Sequence, residues 1–488
     1  MFLGIDIGTS SSKAVVTDAD GHLLAQAVRP HVTASPQPGW FEHDPVANWW
    51  GALLDLCGSL RHQGVDLAAV EAMSVSGIGP CALIATADGT PLRPAILYGI
   101  DTRATAEIAE ITETLGDQIQ ERCGNPLSSQ SVLPKLVWLK RNEPTAFVAA
   151  KRWYCCSGWL TQQLTGQYVV DHYTASVSDP LYYLADRSWW QEPWERFVPQ
   201  FEQPRLVWPG EIIGTVQRAA SDQLGLPIGV PVCTGTIDAF SEAYGAGVEQ
   251  PGDTMVMYGS TLFLIQVTRD THTHAGLWAA SGRSATTSSL AAGLSTAGLL
   301  ATWLKDIAST DEDTIFAEAA TAPAGSNGLV TLPYFAGERT PLLDPRARGA
   351  ILGLTLDHTR SHIARSFLEA IGFGVRHNLE TMAEAGAAPS RLVGVGGGAR
   401  STLWPQIITD ITGLPQDIPK ITLGASYGNA RAGAEALGHD TSHWNPVTRR
   451  LIPTDTHRSV YDDMYGIYRS LYPALRPQMH NLASLTTA

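Results

Sequence analysis

The 488-residue chain has no basic run: 33 Lys and Arg face 47 Asp and Glu, for a net charge of −14. Nonspecific nucleic-acid binding needs clustered cations, so that class of partner is excluded. No apolar stretch approaches the roughly 20 residues that span a bilayer, so no membrane partner is expected. The N-terminus, Met1-Phe2-Leu3-Gly4-Ile5-Asp6, has no positive region and soon meets an acid, unlike a secretory leader. The six cysteines (57, 81, 123, 155, 156 and 233) show no metal-ligand spacing, and reduced thiols in a cytoplasmic setting are expected. Low-complexity character is also missing. With 44% hydrophobic and 16% charged residues the chain should fold throughout, and its length suits two large domains or three smaller ones.

What is present is an α/β pattern built around Gly-hydroxyl turns. Residues 2–28 read as a three-stranded meander: Phe2–Ile7, a turn at Gly8–Ser11, Lys13–Thr17, a turn with Gly21, then Leu23–Val28. A similar unit begins at Asp253, with Thr254–Tyr258, a turn at Gly259-Ser260-Thr261, and Leu262–Val267. This internal repeat predicts two similar domains, 1–245 and 246–488, with a boundary in Gly245–Gly252. Ile363, Phe367, Ile371, Val375 and Leu379 recur every four residues, which predicts a helix over His362–Met382. Arg391–Val395 reads as a strand and Ser401–Thr412 as a helix. Ser281–Ala297, rich in Ser, Thr, Ala and Gly, reads as a linker or a tight helix-packing segment, and the residues from Pro477 onward as poorly ordered.

Five places are candidates for chemistry. In Asp6-Ile7-Gly8-Thr9-Ser10-Ser11, glycine lets backbone N–H groups approach a phosphate, the hydroxyls add donors and Lys13 adds charge. Asp6 could hold a water on Mg²⁺, since hard cations take oxygen ligands. The plain alternative is a polar hairpin turn. Gly259-Ser260-Thr261 follows the same logic, and two such turns would grip a polyphosphate across a cleft. Gly396-Gly397-Gly398-Ala399-Arg400-Ser401 joins a strand to a helix, where a flat backbone suits a base or ribose. Asp238, in Gly235-Thr236-Ile237-Asp238, follows the apolar run Gly229–Cys233 and opens a helix. It is the candidate general base, with a helix N-cap as the alternative. Asp101 and Arg103 either bind sugar hydroxyls or form a structural ion pair.

Taken together, these segments resemble the FGGY family of carbohydrate kinases, within the actin/Hsp70/sugar-kinase superfamily. Further stretches carry the resemblance: Gly39-Trp40-Phe41-Glu42-His43-Asp44-Pro45, Gly337-Glu338-Arg339-Thr340-Pro341, and Asp344-Pro345-Arg346-Ala347-Arg348-Gly349. It runs from residue 2 to about 440. It implies two RNase H-like (actin-like ATPase) domains, the first sugar-binding and the second nucleotide-binding, with ATP and Mg²⁺ in the cleft between them. It also implies transfer of the ATP γ-phosphate to a sugar hydroxyl. By resemblance, Asp238 matches the base and Asp6 the acid near the metal. Gly8, Thr9, Ser10, Lys13, Gly259, Ser260 and Thr261 match the phosphate grip, and Gly298, Gly397, Gly398 and Ser401 the nucleotide site. The family likeness also allows a homodimer.

Xylulose kinases are the nearest subfamily by likeness, so a ketopentose such as xylulose is the first expected substrate. Two departures stand out. Gly77-Ile78-Gly79-Pro80-Cys81 replaces the usual Gly-Gln-Met-His-Gly, and Ser157-Gly158-Trp159 lacks the acid common before the aromatic. Gly79, Pro80 and Asp101 are therefore the expected substrate-side residues, and specificity is expected to differ. Ribulose, erythritol, gluconate and glycerol are the alternative substrates. A non-kinase actin/Hsp70-type ATPase is the competing class, and it would need an appended domain or a filament surface rather than a base in a pocket.

Overall fold

The computed structural model describes residues 1–422 and 424–486. Two mixed sheets organise it. In the first, β1 (Phe2–Ile7), β2 (Ser11–Thr17) and β3 (Leu23–Pro30) form an antiparallel meander. On the other side of β1 lie β4 (Ala72–Gly77) and then β6 (Pro231–Cys233), both parallel to it, with β5 (Ile212–Thr215) antiparallel at the edge. The second sheet repeats this plan. β7 (Asp253–Tyr258), β8 (Leu262–Thr268) and β10 (Ser288–Leu294) form the meander, and β11 (Arg391–Val395) and β12 (Gln416–Pro419) run parallel to β7. β9 (Trp278–Ser281) and β13 (Val447–Leu451) close its two edges.

Two expectations are corrected here. The small-residue segment 281–297 is neither linker nor helix, because it contains β10, every residue of which is buried inside the second sheet. Small side chains suit a strand covered on both faces. Residues 478–486 are not loose either, and 487–488 lie outside the described residues. The former continue a helix running Asp455–Thr486 through Pro473 and Pro477, with Met479 and Ala483 buried. His480 anchors that stretch, its Nε2 lying 2.6 Å from Asp344 Oδ2.

β1 is buried on both faces, which its sequence explains. Leu3, Ile5 and Ile7 join one apolar core with Leu53, Leu56 and Leu60 of helix Gly51–His62. The opposite face meets a helix from the far end of the chain. Take α1 as Asp238–Gly245, α2 as Arg360–Glu384, α3 as Leu403–Thr412 and α4 as Ala425–Ala436. α4 crosses β1 so closely that a Cβ on Gly4 would lie 1.9 Å from Ser426 O. α4 crosses α1 equally closely, since a Cβ on Gly428 would lie 2.0 Å from Ser241 O. Asn429 of α4 then bonds both halves. Its Nδ2 donates to Ile5 O (2.6 Å) and Ser76 Oγ (2.7 Å), and its Oδ1 pairs with Ser241 Oγ (2.7 Å).

All six cysteines are free and buried. Among the described residues no helix is long and apolar enough to cross a membrane.

The crossing yields a stability test. Gly428→Ala should cost about 1–3 kcal/mol, the usual penalty of forcing extra volume into a packed contact. Gly58→Ala, on an open helix face with nothing within 4 Å of the added carbon, should stabilise by about 0.5–1 kcal/mol. Urea unfolding of both variants measures this; equal midpoints would mean the α1–α4 contact yields freely.

Candidate active site

Strand direction gathers the site. β1, β4 and β6 are parallel, so Gly8, Gly79 and Asp238 all follow strand C-termini on one edge of the first sheet. β7 and β11 are likewise parallel, which puts Gly259 and Gly396 on one edge of the second. Such edges are where open α/β sheets hold ligands.

In the first turn, Gly8 N donates to Ser11 O (3.1 Å), and a Cβ on Gly8 would lie 2.6 Å from that carbonyl. Three side chains brace the turn from behind. Trp49 Nε1 donates to His43 Nδ1 (3.2 Å), His43 Nε2 lies 3.0 Å from Thr33 Oγ1, and Thr33 Oγ1 donates to Thr9 O (2.9 Å). Burial pushes the His43 pKa down to about 4, so this relay is neutral and its proton directions are fixed. The sequence offered His43 only as part of a family segment, and its link to Thr9 needs the fold. Ser10 and Lys13 stand at the exposed rim of the turn.

The second turn is closed by Gly259 N donating to Thr261 O (3.0 Å). Gly298 docks on it, its N donating to Gly259 O (3.0 Å), and a Cβ there would lie 2.8 Å from that oxygen. Gly396 has φ +84° and passes within reach of Tyr258 O. The turn after it leaves Gly397 open to space, whereas Gly398 packs on the Trp404 ring. Ser401 is occupied as a cap, since its Oγ accepts from Leu403 N (3.2 Å) and Trp404 N (3.3 Å). Gly259, Ser260, Thr261 and Gly298 are thus brought together, with the Gly396–Ser401 turn on the same sheet edge.

Between the two edges lies a cavity of about 320 Å³. Gly79, Pro80, Tyr98 and Asp238 line it from one side, and Thr261, Phe263, Trp278 and Arg339 from the other. Tyr98 Oη lies 2.9 Å from Thr9 Oγ1, so the wall of the cavity and the first turn share a hydrogen bond. Asp101 is not among the lining residues. Its carboxylate meets Arg103 Nη2 at 2.7 Å and accepts from Phe41 N (2.7 Å), with both charged side chains fully buried. The structure leaves it with the ion-pair alternative, not the sugar-binding one.

The electrostatics concentrate on three carboxyls. Burial, then the charge of Asp6, pushes the Asp238 pKa up to about 8, although Ala239 N donates to Asp238 Oδ1 (2.7 Å). Burial and Asp6 also push Glu242, one helical turn further, up to about 7. Asp6 itself is raised by burial, opposed by a hydrogen bond from Ser76 Oγ (2.8 Å) and by Lys13. Ile237 takes the N-cap position and Asp238 opens α1 as its first residue. These carboxyls are hard oxygen donors of the kind a divalent cation takes, and Asp6 stands at the first Gly-hydroxyl turn. Glu242 was not foreseen, and its signal was the i+4 spacing from Asp238 on one helix face.

The FGGY carbohydrate kinase N-terminal domain model matches residues 1–245 and the C-terminal domain model residues 254–437. A xylulose kinase of Staphylococcus xylosus is 26% identical over 486 residues, covering 96% of this chain and 99% of its own. A glycerol kinase of Thermus brockianus is 31% identical over 471 residues, covering 92% and 93%. The crystal structure of xylulose kinase from Rhodospirillum rubrum superposes with a TM-score of 0.92 at 30% identity, covering 98% of this chain and 99% of that one.

A carboxyl that binds its proton more tightly when folded than unfolded favours folding at low pH. That advantage is lost as pH rises from the usual 3.8 towards about 8. Asp238→Asn mimics the neutral acid. Its melting temperature should exceed the parent's by a margin that widens between pH 5 and 8 and then levels off. A margin independent of pH would show that Asp238 carries no such strain.

Proposed function

The chain belongs to the FGGY family of carbohydrate kinases, and we propose that it phosphorylates a hydroxyl of a small sugar with ATP, a ketopentose such as xylulose being the first candidate. One observation carries the reading: Asp238 lines the sugar-sized cavity and at the same time feels the charge of Asp6 at the first Gly-hydroxyl turn. The acceptor pocket and the phosphate grip therefore meet at one carboxyl.

In this reading Asp238 is the general base. A sugar hydroxyl is a weak nucleophile, and a carboxylate with raised proton affinity takes its proton better than an ordinary one. The γ-phosphoryl group then passes from the leaving ADP oxygen to the sugar oxygen, with the proton on Asp238. Gly8–Ser10, Lys13 and Gly259–Thr261 hold phosphate oxygens, and Gly298, Gly397, Gly398 and Ser401 form the adenosine side. Asp6 would hold Mg²⁺ through a water, with Glu242 close by, and the bound ion supplies neutralising charge to the phosphates. Residues 1–245 supply the sugar side and 246–488 the nucleotide side. Closure of the two excludes water, which keeps ATP from hydrolysis.

Pro80 favours a second reading within the same chemistry. It presents no side-chain donor to the cavity, so another polyol or sugar acid, such as ribulose, erythritol, gluconate or glycerol, is the alternative acceptor. The kinship of the chain to both a xylulose kinase and a glycerol kinase supports keeping that range.

ADP release should rise well above background with at least one pentulose, pentitol, tetritol or aldonate in a screen. Asp238→Asn should lower its kcat by about 10²–10⁴-fold with little change in ATP affinity. Retention of most turnover would place the base elsewhere. Pro80→His restores the missing donor and should raise activity on D-xylulose relative to other acceptors. Gly79 is best left alone, since a Cβ there would lie 2.9 Å from Ile237 Cγ1. An unchanged substrate ranking would remove this segment from sugar recognition.

A further inference from the structure

We propose that Asp179, steadied by Asn125, hydrogen-bonds a hydroxyl or carbonyl oxygen of the acceptor and so selects the substrate of this chain. The proposal rests on the kinase reading and names the group that does what Gly79 and Pro80 leave undone.

The main chain at Asp179 is fixed. Its carbonyl accepts from Val132 N (3.1 Å) and Leu133 N (3.2 Å) at the start of helix Val132–Asn142. Asp171, eight residues earlier, caps the helix that leads into this loop, accepting from Thr174 N (3.0 Å). The Asp179 side chain is therefore presented from a rigid frame. It lines the same cavity as Asp238 and is only 6% exposed.

Its two oxygens differ. Oδ2 lies 3.4 Å from Asn125 Nδ2, a long contact, whereas Oδ1 is buried with no partner. Asn125 does not turn to satisfy it. Its Oδ1 accepts from Ala279 N (2.7 Å) and its Nδ2 donates to Ala279 O (3.0 Å), which locks the amide to β9 of the second sheet. A buried carboxyl oxygen left without a partner is costly and uncommon in a folded protein. Asp179 borders a cavity sized for a small polyol, and in this proposal a ligand hydroxyl seated there draws the carboxyl to it and supplies the missing partner.

The electrostatics agree with an uncharged partner. Burial raises the Asp179 pKa well above the usual range, with no cation among the groups acting on it. A neutral carboxyl both donates and accepts, as does a sugar hydroxyl, so one pair satisfies both. Sites built to hydrogen-bond a hydroxyl reject the analogue that lacks it, because their own polar atoms are then stranded. An interaction of that kind gives selectivity that the apolar wall of Phe263 and Trp278 alone would not.

The test starts from the best acceptor found in the ADP-release screen. If the parent phosphorylates no polyol, the kinase reading has failed and this inference falls with it. If it does, Asp179→Ala, which removes both donor and acceptor, should raise the KM for that acceptor about 10-fold while the KM for ATP stays within twofold. The single-deoxy analogue that the parent handles worst should lose nothing further in the variant. An unchanged acceptor KM, or equal loss on acceptor and ATP, overturns the proposal with the kinase reading intact. A crystal structure of the parent with the acceptor bound decides the matter if the variant does not fold. A substrate oxygen within hydrogen-bond distance of Asp179 supports the inference, and a bound sugar that leaves Asp179 without a contact overturns it.

Discussion

The crossing of α4 over β1 and α1 is the contact on which the rest depends. Three glycines permit it: Gly4 under Ser426, Gly428 against Ser241, and Gly245 against Gly428. Through it Asn429 holds Ser76, and Ser76 holds Asp6. The same helix fixes α1, whose first residue is Asp238. The two acids at the centre of the site are therefore placed by one element drawn from the opposite half of the chain. Around this seam Arg431 adds a bond to Tyr244 O (2.9 Å) and an ion pair with Glu249 (2.6 Å), and Asn445 donates to Gly245 O (2.9 Å).

This arrangement confines three carboxyls near a single lysine, which a fold selected for stability alone would avoid. Asp6 raises the proton affinity of Asp238 and Glu242, Glu242 raises that of Asp238, and Lys13 offsets part of the crowding at Asp6 and Glu242. In the proposed function, a bound polyphosphate with its counter-ion would relieve that crowding. Local rules broken at one place, inside a scaffold that obeys them elsewhere, are the usual mark of a working site.

How much of this was legible in the sequence depended on distance along the chain. The meander at residues 2–30, the turns at Gly8 and Gly259 and the position of Asp238 are local patterns and stand where the residues put them. The helix read at His362–Met382 extends over Arg360–Glu384, since a four-residue apolar period survives any tertiary context. Contacts between remote segments left no such trace. Nothing near Gly298 announces Gly259, and nothing near Asn429 announces Asp6. Composition misled twice. β10, Ser-Ser-Leu-Ala-Ala-Gly-Leu, looks like a linker because its small and hydroxyl residues lack the apolar run of the other buried strands. The C-terminal helix carries Pro473 and Pro477, which normally mark an ending, yet apolar contacts at Met479 and Ala483 and the bond from His480 to Asp344 hold it in place.

The reach of α4 has a consequence for how the protein is made. Ile5 and Asn429, which share a hydrogen bond, stand 424 residues apart. A ribosome adding about 5–20 residues per second leaves the first strand waiting roughly 20–85 s for the helix that covers it. During that interval the face of β1 around Phe2 and Gly4 is open to water and to other nascent chains. A strand made well before its covering helix is thus shielded late, and a half-built sheet must be guarded until α4 arrives.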